Sequence, residues 1–324
     1  MSLDLNNQNL TRIVVEESEQ DLLLKCYRGN EIVQVHSLKG ITRLDCSDNE
    51  LISLPETLPE TLITLDCTYN QLIRLPNTLP KNLETLNCSG NQLTNLPDNL
   101  PKGLKFLRCF VNLLTNLPNT LPEGLKILNC AFNQLTSLPD KLPKELDSLQ
   151  CYSNYLTSLP DTLPEGLESL ICWSNKLVDL PDRLPEGLKK LDCSDNLLKK
   201  LPDNLPKELI TLGCGRNQLV SLPNILPGKL EVLDCYKNKL TCFSGVMPKK
   251  LKSLNCHDNP LKYIPFLPKR PKNLSVPEEF EEKHHPERYS ENYEKQQLNR
   301  YLFQLLFSEL GFSEDFLQTE LGKT

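Results

Sequence analysis

The sequence predicts an α/β protein built as a solenoid. A parallel β-sheet lines its concave face, its convex side is extended and polyproline-like, and a small helical cap closes its C-terminal end. Three observations carry this. Cysteine recurs every 21 residues, at 46, 67, 88, 109, 130, 151, 172, 193, 214, 235 and 256. Asparagine follows each cysteine by three residues, from Asn49 to Asn259. Each unit then continues with an LPxxLP stretch, as in Leu201-Pro202 and Leu205-Pro206. A fixed period of this length means that each unit stacks only on its neighbours, so an elongated array of 324 residues needs no single large core.

Each element has a physical reason. In Leu188 to Cys193, alternation turns Leu191 and Cys193 inward and leaves Lys190, Asp192 and Ser194 on the opposite face of a strand. The asparagine sits where the coil leaves the strand, and a buried amide there can satisfy backbone groups of its own and the adjacent coil. Proline fixes φ and supplies no donor, which favours an extended back over a helix and accounts for most of the 25 prolines.

Residues 1–40 are expected to hold two degenerate repeats acting as an N-terminal cap, the first with Gln8 in the asparagine position and the second starting at Leu24-Lys25-Cys26. Residues 41–267 hold the eleven regular repeats, the period failing after Ile264-Pro265. Residues 268–289 read as a linker or loosely docked strap, with the acidic run Glu278, Glu279, Glu281 and Glu282 beside His284 and His285. Residues 290–324 form the helical cap or tail. Ser290 is its N-cap, Leu298, Tyr301, Leu302, Leu305 and Leu306 its inward face, and Gly311 its stop, with a short second helix from Ser313. Leu302, Leu305 and Leu306 are expected to pack on Leu254, Leu261 and Ile264, and Phe303 and Phe307 on Phe316 and Leu317.

The LPxxLPxxLxxLxxxxN unit resembles the short, bacterial-type leucine-rich repeats of effector proteins that pathogens deliver into host cells, and similar giant-virus repeats. The resemblance covers about two-thirds of the chain. It implies a non-enzymatic protein-recognition module that binds a host protein on its concave face. Some members add a C-terminal ubiquitin-ligase domain with a Cys-x-Asp nucleophile. Cys46-Ser47-Asp48 and Cys193-Ser194-Asp195 match that string, but both cysteines belong to the buried ladder, and the 63 residues after Leu261 are too few for such a domain. The alternatives are an enzyme or ligase-related adaptor and a rigid spacer.

Composition excludes several classes. A net charge of -6 with mixed signs along the repeats gives no basic surface for nucleic acid. The opening MSLDLNNQNLTRIVV lacks the basic and apolar regions of a signal peptide, and no run of 18 apolar residues suggests a membrane span. There is no Gly-rich phosphate loop, H-E-x-x-H or G-x-S-x-G, and only four histidines, so no catalytic residue, metal ligand or cofactor is assigned. His257 and Asp258 lie together at the end of the eleventh strand without further partners in the sequence.

The thirteen cysteines read as core thiols. Adjacent parallel strands, about 4.8 Å apart, place them poorly for a disulfide dihedral, and a buried thiol packs as a small apolar group. A reducing, cytoplasmic compartment is expected, with a host cytosol reached by delivery as the alternative. Cys242 is the expected accessible thiol, with Cys26 a second candidate.

The repeat also fixes which residues face the partner. Repeats one to three present small polar groups such as Thr64, Asn87 and Ser89, whereas repeats four to seven gather apolar and aromatic ones. The expected site is therefore Phe106, Arg108, Phe110, Val111, Ile127, Phe132, Tyr152, Ile171 and Trp173, roughly 15 to 20 Å along the array. A monomer is expected, with a dimer through the C-terminal helix as the alternative.

Overall fold

A computed structural model describes residues 1–18, 21–243, 246–262, 267 and 271–277. Among the described residues thirteen strands form one parallel sheet, each hydrogen-bonded to the strand one coil away. It opens with β1 (Ser2–Asp4). Outside the sheet stand β2 (Arg12–Glu17), β3 (Leu22–Arg28) and β4 (Glu31–Ser37). The regular strands follow at the 21-residue period: β5 (Arg43–Asp45), β6 (Thr64–Asp66), β7 (Thr85–Asn87), β8 (Phe106–Arg108), β9 (Ile127–Asn129), β10 (Ser148–Gln150), β11 (Ser169–Ile171), β12 (Lys190–Asp192), β13 (Thr211–Gly213), β14 (Val232–Asp234) and β15 (Ser253–Asn255). The last strand among the described residues is β16 (Asn273–Ser275).

The core is one continuous stack. In the coil of Cys109, Leu100, Leu104, Leu107, Cys109, Leu114 and Leu117 are all buried, and the same positions are buried in coil after coil. Because every strand of the parallel sheet is three residues long and in register, each motif leucine meets its equivalent, as Leu107 meets Leu128. The convex back bends once per coil: Leu104 N donates to Pro101 O at 3.0 Å, and Leu125 N to Pro122 O at 3.0 Å. The second LP pair thus opens a turn that returns the chain to the sheet.

The asparagines are clamps between coils. Asn133 Nδ2 donates to Cys130 O at 3.1 Å and Ala131 O at 3.0 Å in its own coil, and to Cys109 O at 3.0 Å in the preceding one. Its Oδ1 accepts from Leu114 N at 3.0 Å. One buried amide therefore satisfies four backbone groups that packing has removed from water.

The N-terminal region departs from expectation. Leu5 occupies the cysteine position of a first coil, since Leu5 N donates to Asp45 O at 2.7 Å and Asn49 Nδ2 to Leu5 O at 2.8 Å. The expected second repeat does not exist. Leu24-Lys25-Cys26 lies in β3, the centre of an antiparallel sheet of order β2-β3-β4, inserted where the first coil should cross its back. The alternation Ile13, Leu24 and Cys26, all buried, packs this sheet on the first coil, so its period of two won over the repeat pattern. It also buries Cys26 completely, which removes it as an accessible thiol.

At the other end the sheet runs past the expected stop at Leu267. Within the stretch read as a linker, β16 pairs with β15 in the same register as the repeats, Leu274 opposite Leu254. No LPxxLP signal announces this coil because a strand of three residues needs only one inward apolar side chain. The expected C-terminal helices, their stop at Gly311, the contact with Ile264 and the pair His284 and His285 lie outside the described residues.

Candidate functional site

The solvent-facing side of the parallel sheet is built by three positions in each coil: the residues flanking the motif leucine and the one after the cysteine. A fourth position, two residues after the cysteine, follows where the chain turns off the strand. There the backbone is left-handed in every regular coil. Asp48, Tyr69, Gly90, Val111, Phe132, Ser153, Ser174, Asp195, Arg216, Lys237 and Asp258 all have φ between 50° and 64°, as does Asn7 in the first coil. Asn, Asp, Gly and Ser suit such a turn. A β-branched valine does not, and a bulky phenylalanine is also disfavoured.

Val111 and Phe132 hold this conformation in consecutive coils with φ of 54° and 50°, and their side chains are 43% and 46% exposed. Nearly half of each stays open to solvent in this conformation. Beside them, Tyr152 and Trp173 stack with centroids 4.5 Å apart and planes 15° apart, and Phe132 meets both edge-on at 5.3 Å and 6.2 Å. Parallel pairing fixes this stack, because both side chains follow the cysteine by one residue in adjacent coils. On the same face, Phe106 of β8 sits directly opposite Ile127 of β9, and Arg108 opposite Asn129.

The predicted residues thus divide. Phe132, Tyr152 and Trp173 form one ring cluster, and Phe106 and Ile127 pair across neighbouring strands. Phe106, Phe110, Arg108, Ile127, Tyr152 and Trp173 are partly exposed. Phe110 makes no ring contact with the cluster among the described residues. Ile171 corrects the expectation: it is 9% exposed, shut between its register neighbours Gln150 and Asp192, and offers a partner little surface. The left-handed turn is a feature the sequence reading does not include, although Asp48, Gly90, Ser153, Ser174, Asp195 and Asp258 in that column mark it.

The patch is flanked by polar surface. On the N-terminal side Asp45 Oδ1 accepts from Ser47 and Asp66 Oδ1 from Thr68 in local turns, while Asp45 Oδ2 pairs with Arg43 and Asp66 Oδ2 accepts from Asn87. On the C-terminal side Asp192, Gly213 and Asp234 stand in register, and half-burial, with Asp192 nearby, raises the Asp234 carboxyl above its ordinary value. Tyr236 and His257 are ring neighbours at 5.1 Å, and His257 Nδ1 lies 3.1 Å from Asp258 Oδ2. Two glycines make room for rings: a Cβ on Gly90 would lie 2.3 Å from Tyr69 Cδ1, and one on Gly215 2.3 Å from Tyr236 Cδ1.

The thiols are inert by burial. Twelve of the thirteen cysteines are buried and all are free; Cys242 alone is partly exposed. Desolvation pushes the Cys26 thiol up to about 11 and those of Cys88, Cys130 and Cys256 up to about 12, and it raises the rest of the ladder as well. Several donate weakly to the next coil, as Cys193 Sγ does to Gly213 O at 3.3 Å. Among the described residues no group of three His, Cys, Asp or Glu could hold a metal ion.

Comparison with known proteins agrees with this architecture. The family model described as Leucine Rich Repeat matches residues 82–104. The leucine-rich effector protein YopM from Yersinia pestis is 30% identical, over 74% of this chain and 83% of that one, with a TM-score of 0.50. YopM from Yersinia enterocolitica is 32% identical over 73% of this chain, which spans 63% of that protein, with a TM-score of 0.49. InlJ from Listeria monocytogenes, whose functional domain includes a cysteine ladder, is 24% identical over 76% of this chain and 65% of that one, with a TM-score of 0.58. No curated protein matches by sequence. The stacked parallel coils, the asparagine clamps and the likeness to YopM across most of its length place this chain in the leucine-rich-repeat family.

Proposed function

We propose that this chain is a non-enzymatic recognition module that binds a protein partner on the solvent-facing side of its sheet. The contact surface is Phe106, Arg108, Phe110, Val111, Ile127, Phe132, Tyr152 and Trp173. The observation that carries the reading is the pair Val111 and Phe132. Each stands about half exposed on a left-handed backbone that costs a β-branched or bulky residue about 1 to 2 kcal/mol. The adjoining ring cluster supplies the aromatic anchors on which interfaces depend, and the surrounding Ser, Asn and Asp residues supply a polar rim.

The similarity to YopM supports an effector-type role, in which the partner is a host protein and the chain acts in a host cytosol. Twelve buried free thiols suit such a reducing compartment. Capture from host-cell lysate by wild type and by Phe110→Ala with Trp173→Ala tests the reading. Loss of specific captured proteins from the double variant is expected, and an unchanged set overturns it.

A further inference from the structure

A slot opens beside the ring cluster on the same face of the sheet. In the column that follows the cysteines, Trp173, Ser194, Gly215 and Tyr236 stand in successive coils. Two rings are thus separated by two of the smallest side chains, with roughly 14 Å between the Trp173 and Tyr236 backbones. Each ring is backed on its outer side. Tyr152 stacks on Trp173 at 4.5 Å, which turns the opposite indole face toward the coil of Ser194. His257 lies 5.1 Å from Tyr236, whose ring leans inward over Gly215, where a Cβ would meet Cδ1 at 2.3 Å.

The neighbouring column, one place before the cysteine, is acidic here. Asp192, Gly213 and Asp234 are register neighbours, and the Asp192 carboxylate leans over Gly213, with Oδ1 2.6 Å from where a Cβ would stand. Asp192 Oδ1 accepts from Ser194 N at 3.1 Å and Asp234 Oδ1 from Tyr236 N at 3.4 Å, and Asn255 adds a neutral donor to Asp234. Among the described residues neither carboxylate has an ion pair, whereas Asp45 in the same column pairs with Arg43 at 3.0 Å. The exposed Lys190 and Lys237 pair with neither, and Arg216 is drawn to Asp195, its Nε 3.9 Å from Oδ1. Carboxylates without a counter-charge beside an open ring face make a surface complementary to a cation.

On the protein-recognition reading above, we propose that this slot receives an arginine side chain of the partner. The planar guanidinium lies on the free face of Trp173 above Ser194 and turns its N–H fork to the Asp192 carboxylate, with Asp234 adding charge across Gly213. A lysine ammonium offers neither the flat stack nor the fork. The coil of Ser194 lies three coils beyond that of Phe132, roughly 14 Å, or about four residues of extended chain. One extended segment of the partner therefore reaches both the ring cluster and the slot.

Trp173 is the only tryptophan in the chain, so its emission reports on the slot directly. The full chain is titrated at physiological salt with blocked tri-arginine, tri-lysine and tri-citrulline peptides. Tri-arginine is expected to quench Trp173 and to bind at least about threefold more tightly than tri-lysine, and tri-citrulline, which keeps the shape without the charge, to have no effect. Asp192→Asn with Asp234→Asn keeps an acceptor for each local turn, so circular dichroism should be unchanged while affinity for tri-arginine falls about tenfold. Asp161→Asn with Asp182→Asn, the same change of charge at exposed positions of the LPxxLP stretches, should bind as wild type does. Emission unmoved by tri-arginine, tri-lysine bound as tightly, or two double variants that behave alike would each overturn the proposal. Lysate capture separates it from the reading beneath it. A captured set lost with Phe110→Ala and Trp173→Ala but kept with Asp192→Asn and Asp234→Asn leaves the recognition surface standing and removes the arginine.

Discussion

Tyr152 and Trp173 lie stacked 4.5 Å apart although 21 residues separate them in the chain. One coil of the solenoid brings equivalent positions to neighbouring strands, so the pair is a direct product of the period. Both rings are partly exposed, and the stack itself contributes about 0.5 to 1.5 kcal/mol beyond its buried area. Trp173→Ala is therefore expected to lower stability by no more than about 2 kcal/mol in urea unfolding. Partner capture should fall far more than that loss explains.

Val111 gives the opposite pairing of effects. Replacing it by asparagine, which tolerates the left-handed turn, should raise stability by about 0.5 to 1 kcal/mol and weaken partner binding. Urea midpoints and pull-down yields of the same preparation measure both. A variant that is less stable, or that binds as well as wild type, would show that Val111 is held there for its packing.

The asparagine clamps should be among the most costly positions to change. Asn133→Ala leaves Leu114 N without its acceptor and takes one donor each from the carbonyls of Cys109, Cys130 and Ala131, which keep Asn112, Asn154 and Val111 N, at an expected cost of about 1 to 3 kcal/mol. Asn133→Asp should be worse, since a carboxylate would face three carbonyl oxygens in place of a donor. Hydrogen exchange should show the opening concentrated in the coils of Cys109 and Cys130.

Alkaline pH should unfold this protein sharply. Burial holds the ladder thiols protonated in the folded state, to about 11 at Cys26 and about 12 at Cys88 and Cys130, whereas an unfolded thiol ionises near 8.5 to 9. Above that value the unfolded state binds fewer protons, so stability falls as pH rises, by about 1.4 kcal/mol per pH unit for each fully ionised thiol. The stability is intact below about pH 8. With twelve buried thiols the transition should complete within roughly one to two pH units, followed by circular dichroism. Replacing four ladder cysteines by valine should flatten it.

Thiol labelling at neutral pH checks the same ladder kinetically. Cys242 should react quickly and the twelve buried cysteines, Cys26 included, only once denaturant opens the coils. Rapid modification of Cys26 in the native protein would mean that the inserted sheet lifts off the first coil.

The sequence by itself determined the solenoid. A strict 21-residue period fixes the strand, the inward leucines, the cysteine ladder and the asparagine clamp, because each coil sees only copies of itself and local pattern becomes tertiary contact directly. It also brought Phe132, Tyr152 and Trp173 to one face, since position within the period is position on the sheet. Where the period lapses, the tertiary structure decided. Leu24 to Cys26 fits a degenerate repeat as readily as a β-strand, and only the available core of the first coil selects the antiparallel sheet that buries Cys26 and leaves β4 as an open edge. Residues 273–275 carry too short a signal to be read as a coil until β15 offers them an edge to pair with. The exposure of Ile171 depended on its neighbours across two strands, and the left-handed turn under Val111 and Phe132 on how the chain leaves the sheet. A residue's place in a repeat is written in the sequence; its strain and its shielding come from the coils on either side.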